Sequence, residues 1–88
     1  MAIYPDVIQD IRRACQAYRD DRVLLTDLQT AISSGANAIV AVEENRLRQY
    51  LDDTEGRLEL IRFTTNAADV RRAALIVIGE LEVELSKW

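Results

Sequence analysis

The chain has 88 residues, 49% of them hydrophobic and 30% charged, with fifteen Asp and Glu against eleven Lys and Arg for a net charge of −4. That length allows one domain with a thin but real core, and the apolar share excludes a disordered chain. There is no run of about eighteen uncharged apolar residues for a membrane span, the amino terminus lacks the basic and apolar regions of a secretion signal, and the lone Cys15 cannot form an intrachain disulfide; a cytoplasmic protein is expected.

The first predicted element runs from about Pro5 to Arg19. Pro5 suits the first helical position, Asp6 complements the positive end of the dipole, and Ile8, Ile11, Ala14, Cys15 and Tyr18 fall on one apolar row. Arg19-Asp20-Asp21-Arg22 breaks that helix. Thr26-Asp27-Leu28-Gln29 reads as a Thr-x-x-Gln capping box. A short second helix is therefore expected from Thr26 to near Ser33-Ser34-Gly35, with Leu24 and Leu25 stapling its start and Val23, Leu24, Leu28, Ala31 and Ile32 on its inner face.

A long third helix is expected from about Ala36 to Arg62, with Ile39, Val40, Leu47, Tyr50, Leu51, Leu58 and Ile61 facing inward. Gly56 costs about 1 kcal/mol relative to Ala in a helix, so a kink or split is expected there. Thr64, Thr65 and Asn66 mark the next break and offer caps for a fourth helix. That helix spans Ala67 to Trp88 with Val70, Ala74, Val77, Leu81, Leu85 and Trp88 at the spacing of one buried face, Asp69 in its first turn and Lys87 in its last. Four amphipathic helices and short loops predict an all-α, single-domain antiparallel four-helix bundle over residues 1–88, with Tyr4 and Trp88 covering the ends of the core.

The chain contains no histidine. Ser-His-Asp and Cys-His hydrolases therefore cannot be assembled, and zinc sites of His and Cys fail on ligand count. Asp52, Asp53, Glu55 and Glu59, with Asp20-Asp21 or Glu43-Glu44, could in principle hold magnesium, but no Glu-x-x-His pair or phosphate-binding Gly-rich loop accompanies them. The three glycines are isolated, Gly35 ending a helix and Gly56 inside one. The expectation is a protein that is not an enzyme and carries no metal or cofactor.

The acidic balance opposes a phosphate backbone, so no nucleic acid is expected as partner. Ten of the eleven basic residues are Arg, and pairs such as Arg12-Arg13 and Arg71-Arg72 read first as ion-pair partners of acids one turn away. Arg48 with Asp52 and Arg62 with Glu59 are the obvious pairs. Asp52, Asp53, Glu55 and Glu59 form the main candidate surface for a cationic partner, Asp20, Asp21 and Asp27 a second, and Tyr50 an aromatic anchor.

Size, acidity, helix order and the segment from Arg22 to Ser34 together resemble the small helical immunity proteins that bacteria pair with nuclease toxins, of the colicin D and contact-dependent inhibition types. The resemblance implies stoichiometric neutralisation of a basic toxin, often an RNase, by an acidic surface that occupies its cationic groove. The alternative is a self-associating regulatory or structural bundle that dimerises through the apolar start of the fourth helix, Ala73 to Ile78. The chain alone is then a monomer or a homodimer.

Overall fold

A computed structural model of the chain describes residues 5–39 and 45–88. It contains four α-helices, α1 (Pro5–Arg19), α2 (Leu25–Ala38), α3 (Asn45–Thr64) and α4 (Ala67–Leu85), and no strand among the described residues. The all-α four-helix bundle expected from the apolar spacing is what the chain forms. Tyr4, Val40 and Glu43-Glu44 lie outside the described residues.

Each helix packs antiparallel on the next, and α4 returns to α1. Gly35, late in α2, meets Val7 and Ile11 early in α1. Gln29, early in α2, reaches Glu55 and Glu59 in the second half of α3. Tyr50 in the first half of α3 reaches Glu80 late in α4. Arg71 at the start of α4 reaches the last turn of α1.

The core draws on every helix: Ile8, Ile11, Cys15 and Tyr18 from α1, Leu28, Ile32 and Ala36 from α2, Leu47, Leu51 and Leu58 from α3, and Ala74, Val77, Ile78, Leu81 and Leu85 from α4. These positions recur every three or four residues, so each helix turns one stripe inward. Trp88 is half-buried against that core, as a lid would be, while Leu24, expected on the inner face, is exposed and leaves Leu25 to pack there. Among the described residues no helix is long and apolar enough to cross a membrane.

The helix limits differ from expectation in several places. First, α2 runs through Ser33-Ser34-Gly35 to Ala38, and α3 begins at Asn45, so Ala36 and the buried Ile39 close α2 instead of opening α3. Gly35 is internal because α1 crosses at this point: a Cβ there would lie 2.7 Å from Ile11 Cδ1 and 3.2 Å from Val7 Cγ1. Second, α2 starts at Leu25 with Leu24 at the N-cap position, and Asp27 in the first turn reaches back, its carboxylate accepting from the Leu24 backbone N–H at 2.9 Å. Third, α3 continues through Gly56 and Leu60–Thr64 as one helix. At the far end α4 stops at Leu85, placing Lys87 beyond the last turn, where it pairs with Glu84 at 3.4 Å.

Candidate partner-binding site

Successive helical residues rotate by about 100°, which divides the acidic run of α3. Asp52, Glu55 and Glu59 fall within about 60° of one another, whereas Asp53 points about 160° away from Glu55. Glu55 and Glu59 face α2, bonded to Gln29, and Asp52 is exposed beside them. Asp53 accepts from Gln49 at 3.0 Å and borders a different hollow, lined also by Tyr50, Glu84 and Trp88. The structure thus sets three of the four carboxylates of the main candidate surface on one side of α3 and separates the fourth.

Between α2 and α3 lies a cleft of about 330 Å³ walled by Thr26, Thr30, Ser33 and Ser34 on one side and Glu55, Glu59 and Arg62 on the other. Gln29, itself only 6% exposed, joins the two walls. Its Nε2 donates to Glu55 at 3.3 Å and to Glu59 at 2.5 Å, and Arg62 donates to the other Glu59 oxygen at 3.1 Å, forming the ion pair expected from the sequence. With Nε2 fixed on two carboxylates, the Gln29 carbonyl oxygen Oε1 has no donor, and Arg62 Nε has no acceptor. Burying unpaired polar atoms is costly, so a packed helix seam that keeps them is unusual.

Local pattern makes Gln29 a capping residue, and its place in the cleft is the main feature that this pattern conceals. A signal for it does exist in the sequence: Leu25, Gln29, Ile32 and Ala36 form one inward stripe, and a carboxamide among them needs polar neighbours. Those neighbours are Glu55 and Glu59.

The second candidate surface is engaged in local structure. Asp21 occupies the left-handed region (φ 61°) and closes a Schellman turn, with Arg22 N–H donating to Ala17 O at 2.9 Å and Asp21 N–H to Tyr18 O at 3.0 Å. Asp20 accepts from Gln16 and Arg22, and Asp27 from the Leu24 N–H. Asp20 and Asp21 therefore sit at the end of α1 and Asp27 at the start of α2, each with a structural partner. Tyr50 is half-buried across the α3–α4 seam, its hydroxyl donating to Glu80 O at 3.4 Å. Burial, then Glu84 and Glu80, raise its pKa above the ordinary phenol value, so Tyr50 carries no charge at neutral pH.

Of the basic pairs Arg12-Arg13 and Arg71-Arg72, Arg13 and Arg71 form ion pairs, Arg71 across to the end of α1 and not with an acid one turn away. Arg71 donates to Tyr18 O at 3.2 Å and Arg19 O at 2.8 Å, stacks over the Tyr18 ring and lies 3.5 Å from Asp21. Arg19 pairs with Glu82, Arg57 with Glu80 at 3.1 Å, and Arg13 with Asp10 at 3.6 Å. Arg48 and Asp52 are exposed without forming the expected pair. Cys15 is fully buried, and burial followed by the nearby Glu82 pushes its thiol up to about 12, so the nucleophilic thiolate is suppressed. Among the described residues no three His, Cys, Asp or Glu side chains converge as metal ligands would.

Comparison with known proteins finds no match for this chain among family models, curated proteins or solved structures.

Proposed function

We propose that the protein is a non-catalytic binding module that neutralises a basic bacterial toxin, in the simplest case a nuclease, by laying the α2–α3 face over its cationic groove. The observation that carries this reading is the meeting of Glu55 and Glu59 at one cleft whose buried Gln29 has an unused acceptor, with the exposed Asp52 on the same side of α3. Acidic side chains of such a face stand in for RNA phosphates and speed encounter, while the buried groups of the cleft set residence time. Tyr50 and Asp53, on the other side of α3, contribute where the partner wraps over that helix.

The alternative is dimerisation through Ala73 to Ile78, where half of the residues remain at least partly exposed. Ala74, Val77 and Ile78 are buried in the chain's own core and Leu75 packs against it, leaving Ile76 as the exposed large side chain of that segment. The test is co-expression with the products of the adjacent genes, the complexes being sized by light scattering. A stoichiometric complex with a basic protein that kills cells when expressed alone supports neutralisation. A symmetric dimer that ignores those products overturns it.

A further inference from the structure

The α2–α3 cleft is an incomplete hydrogen-bonding site with a definite sign. Gln29 cannot turn its amide over, because Oε1 would then face the carboxylates of Glu55 and Glu59. The orientation that satisfies those acids strands Oε1, in a side chain that is 94% buried by its 6% exposure. Glu55 uses one oxygen on Gln29, and its other has no partner among the described residues. The Ser33 and Ser34 hydroxyls on the wall can donate or accept and leave the balance of donors and acceptors to the charged groups. Against the unused acceptors stand the one orphaned donor, Arg62 Nε, and a charge balance of two carboxylates to one guanidinium, so the cleft keeps one negative charge. What it lacks is an N–H-rich cation.

Resting on the reading of the protein as a binder of a basic partner, we infer that this cleft seats a lysine or arginine side chain of that partner, held between Glu55 and Glu59, its entry parting the seam so that it donates to Oε1 of Gln29, which is closed to solvent in the chain alone. The cleft, at about 330 Å³, has room for one such side chain beside Arg62. An incoming cation supplies the donor that Gln29 lacks and balances the spare carboxylate charge, and a neutral side chain of equal length does neither. The cleft is therefore the point at which a basic partner is distinguished from a merely apolar one.

The test uses the isolated full chain, labelled with ¹⁵N, titrated with the N-acetyl amides of lysine and arginine and with the neutral N-acetyl norleucine amide. The expected result is saturable movement of the Gln29 side-chain NH₂ signals and of amides in 29–34 and 55–62 with the cationic probes alone. Gln29→Met abolishes that movement, and Glu55→Gln, at a half-exposed position that leaves the core intact, weakens it several-fold. Equal shifts with norleucine amide, no saturation, or unchanged binding in Glu55→Gln overturns the site. The failures are separable. Cation binding with no toxic neighbour retires the neutralisation reading and keeps the site, whereas a toxin bound equally by wild type and Glu55→Gln retires the site and keeps neutralisation.

Discussion

Gly35 and Gly56 share a residue type and a helical backbone, yet they answer to different forces. Gly56 has open space where a side-chain methyl would stand, so Gly56→Ala should stabilise the protein by about 0.5–1 kcal/mol through helix propensity alone. At Gly35 the same methyl meets the buried Ile11 and Val7. Gly35→Ala should therefore cost about 1–2 kcal/mol despite its better propensity, which parallel denaturant melts of the two variants would read directly. Cys15 gives a pH-dependent counterpart. Its thiol titrates near 9 when unfolded and at about 12 when folded, so above pH 9 the unfolded chain binds fewer protons and stability falls as pH rises towards 12. Below pH 9 this contribution is fully present. Urea melts between pH 8 and 11 should show a decline of up to about 1.4 kcal/mol per pH unit that is smaller in Cys15→Ala. Thiol reagents at pH 8 should leave the folded protein unlabelled.

At the scale of elements, helix ends depend on neighbours that sequence spacing does not reveal. The last turn of α1 is completed by Arg71, 52 residues later, whose guanidinium takes two of its carbonyls. Arg71→Met should cost about 1 kcal/mol, since the side chain is partly exposed and screened, and lower the melting temperature by about 4–8 °C. The same contrast explains how far the elements can be read from sequence. Inward stripes such as Ile8-Ile11-Cys15-Tyr18 and Ala74-Val77-Leu81-Leu85 are legible because their period is a property of one helix. The end of α2 is not, because Gly35 is a helix stop by local preference and a close-packing residue once α1 lies across it. Capping by Thr26 and Gln29 satisfies a local pattern, but Gln29 is needed by Glu55 and Glu59 in the fold, and Asp27 is left to bond the Leu24 N–H. The acidic cluster is legible as composition, while its division between two sides of α3 becomes evident only from the helical rotation and from which acids Gln29 engages.

For the whole molecule, a net charge of −4 is a weaker guide than where the charges lie. Asp20, Asp21 and Asp27 complete helix ends, Glu80 and Glu82 pair with Arg57 and Arg19, and the α2–α3 seam keeps the acids with unmet capacity. Charge reversal should therefore depend on the face. Asp52→Lys should weaken binding of a basic partner at least tenfold, mainly through slower association at low salt, while Asp53→Lys should change it much less. Surface plasmon resonance at two salt concentrations distinguishes these outcomes, and equal losses would place the interface over both sides of α3. The return of α4 to α1 has a further consequence, for the order in which the molecule assembles. The α1–α2, α2–α3 and α3–α4 pairs are hairpins of neighbouring segments, whereas the Arg71 clasp and the Arg19–Glu82 pair must close a loop of more than fifty residues. Substitutions at that seam should accelerate unfolding while leaving the refolding rate nearly untouched. The α1–α4 contact then acts as the latch that governs the lifetime of the folded chain.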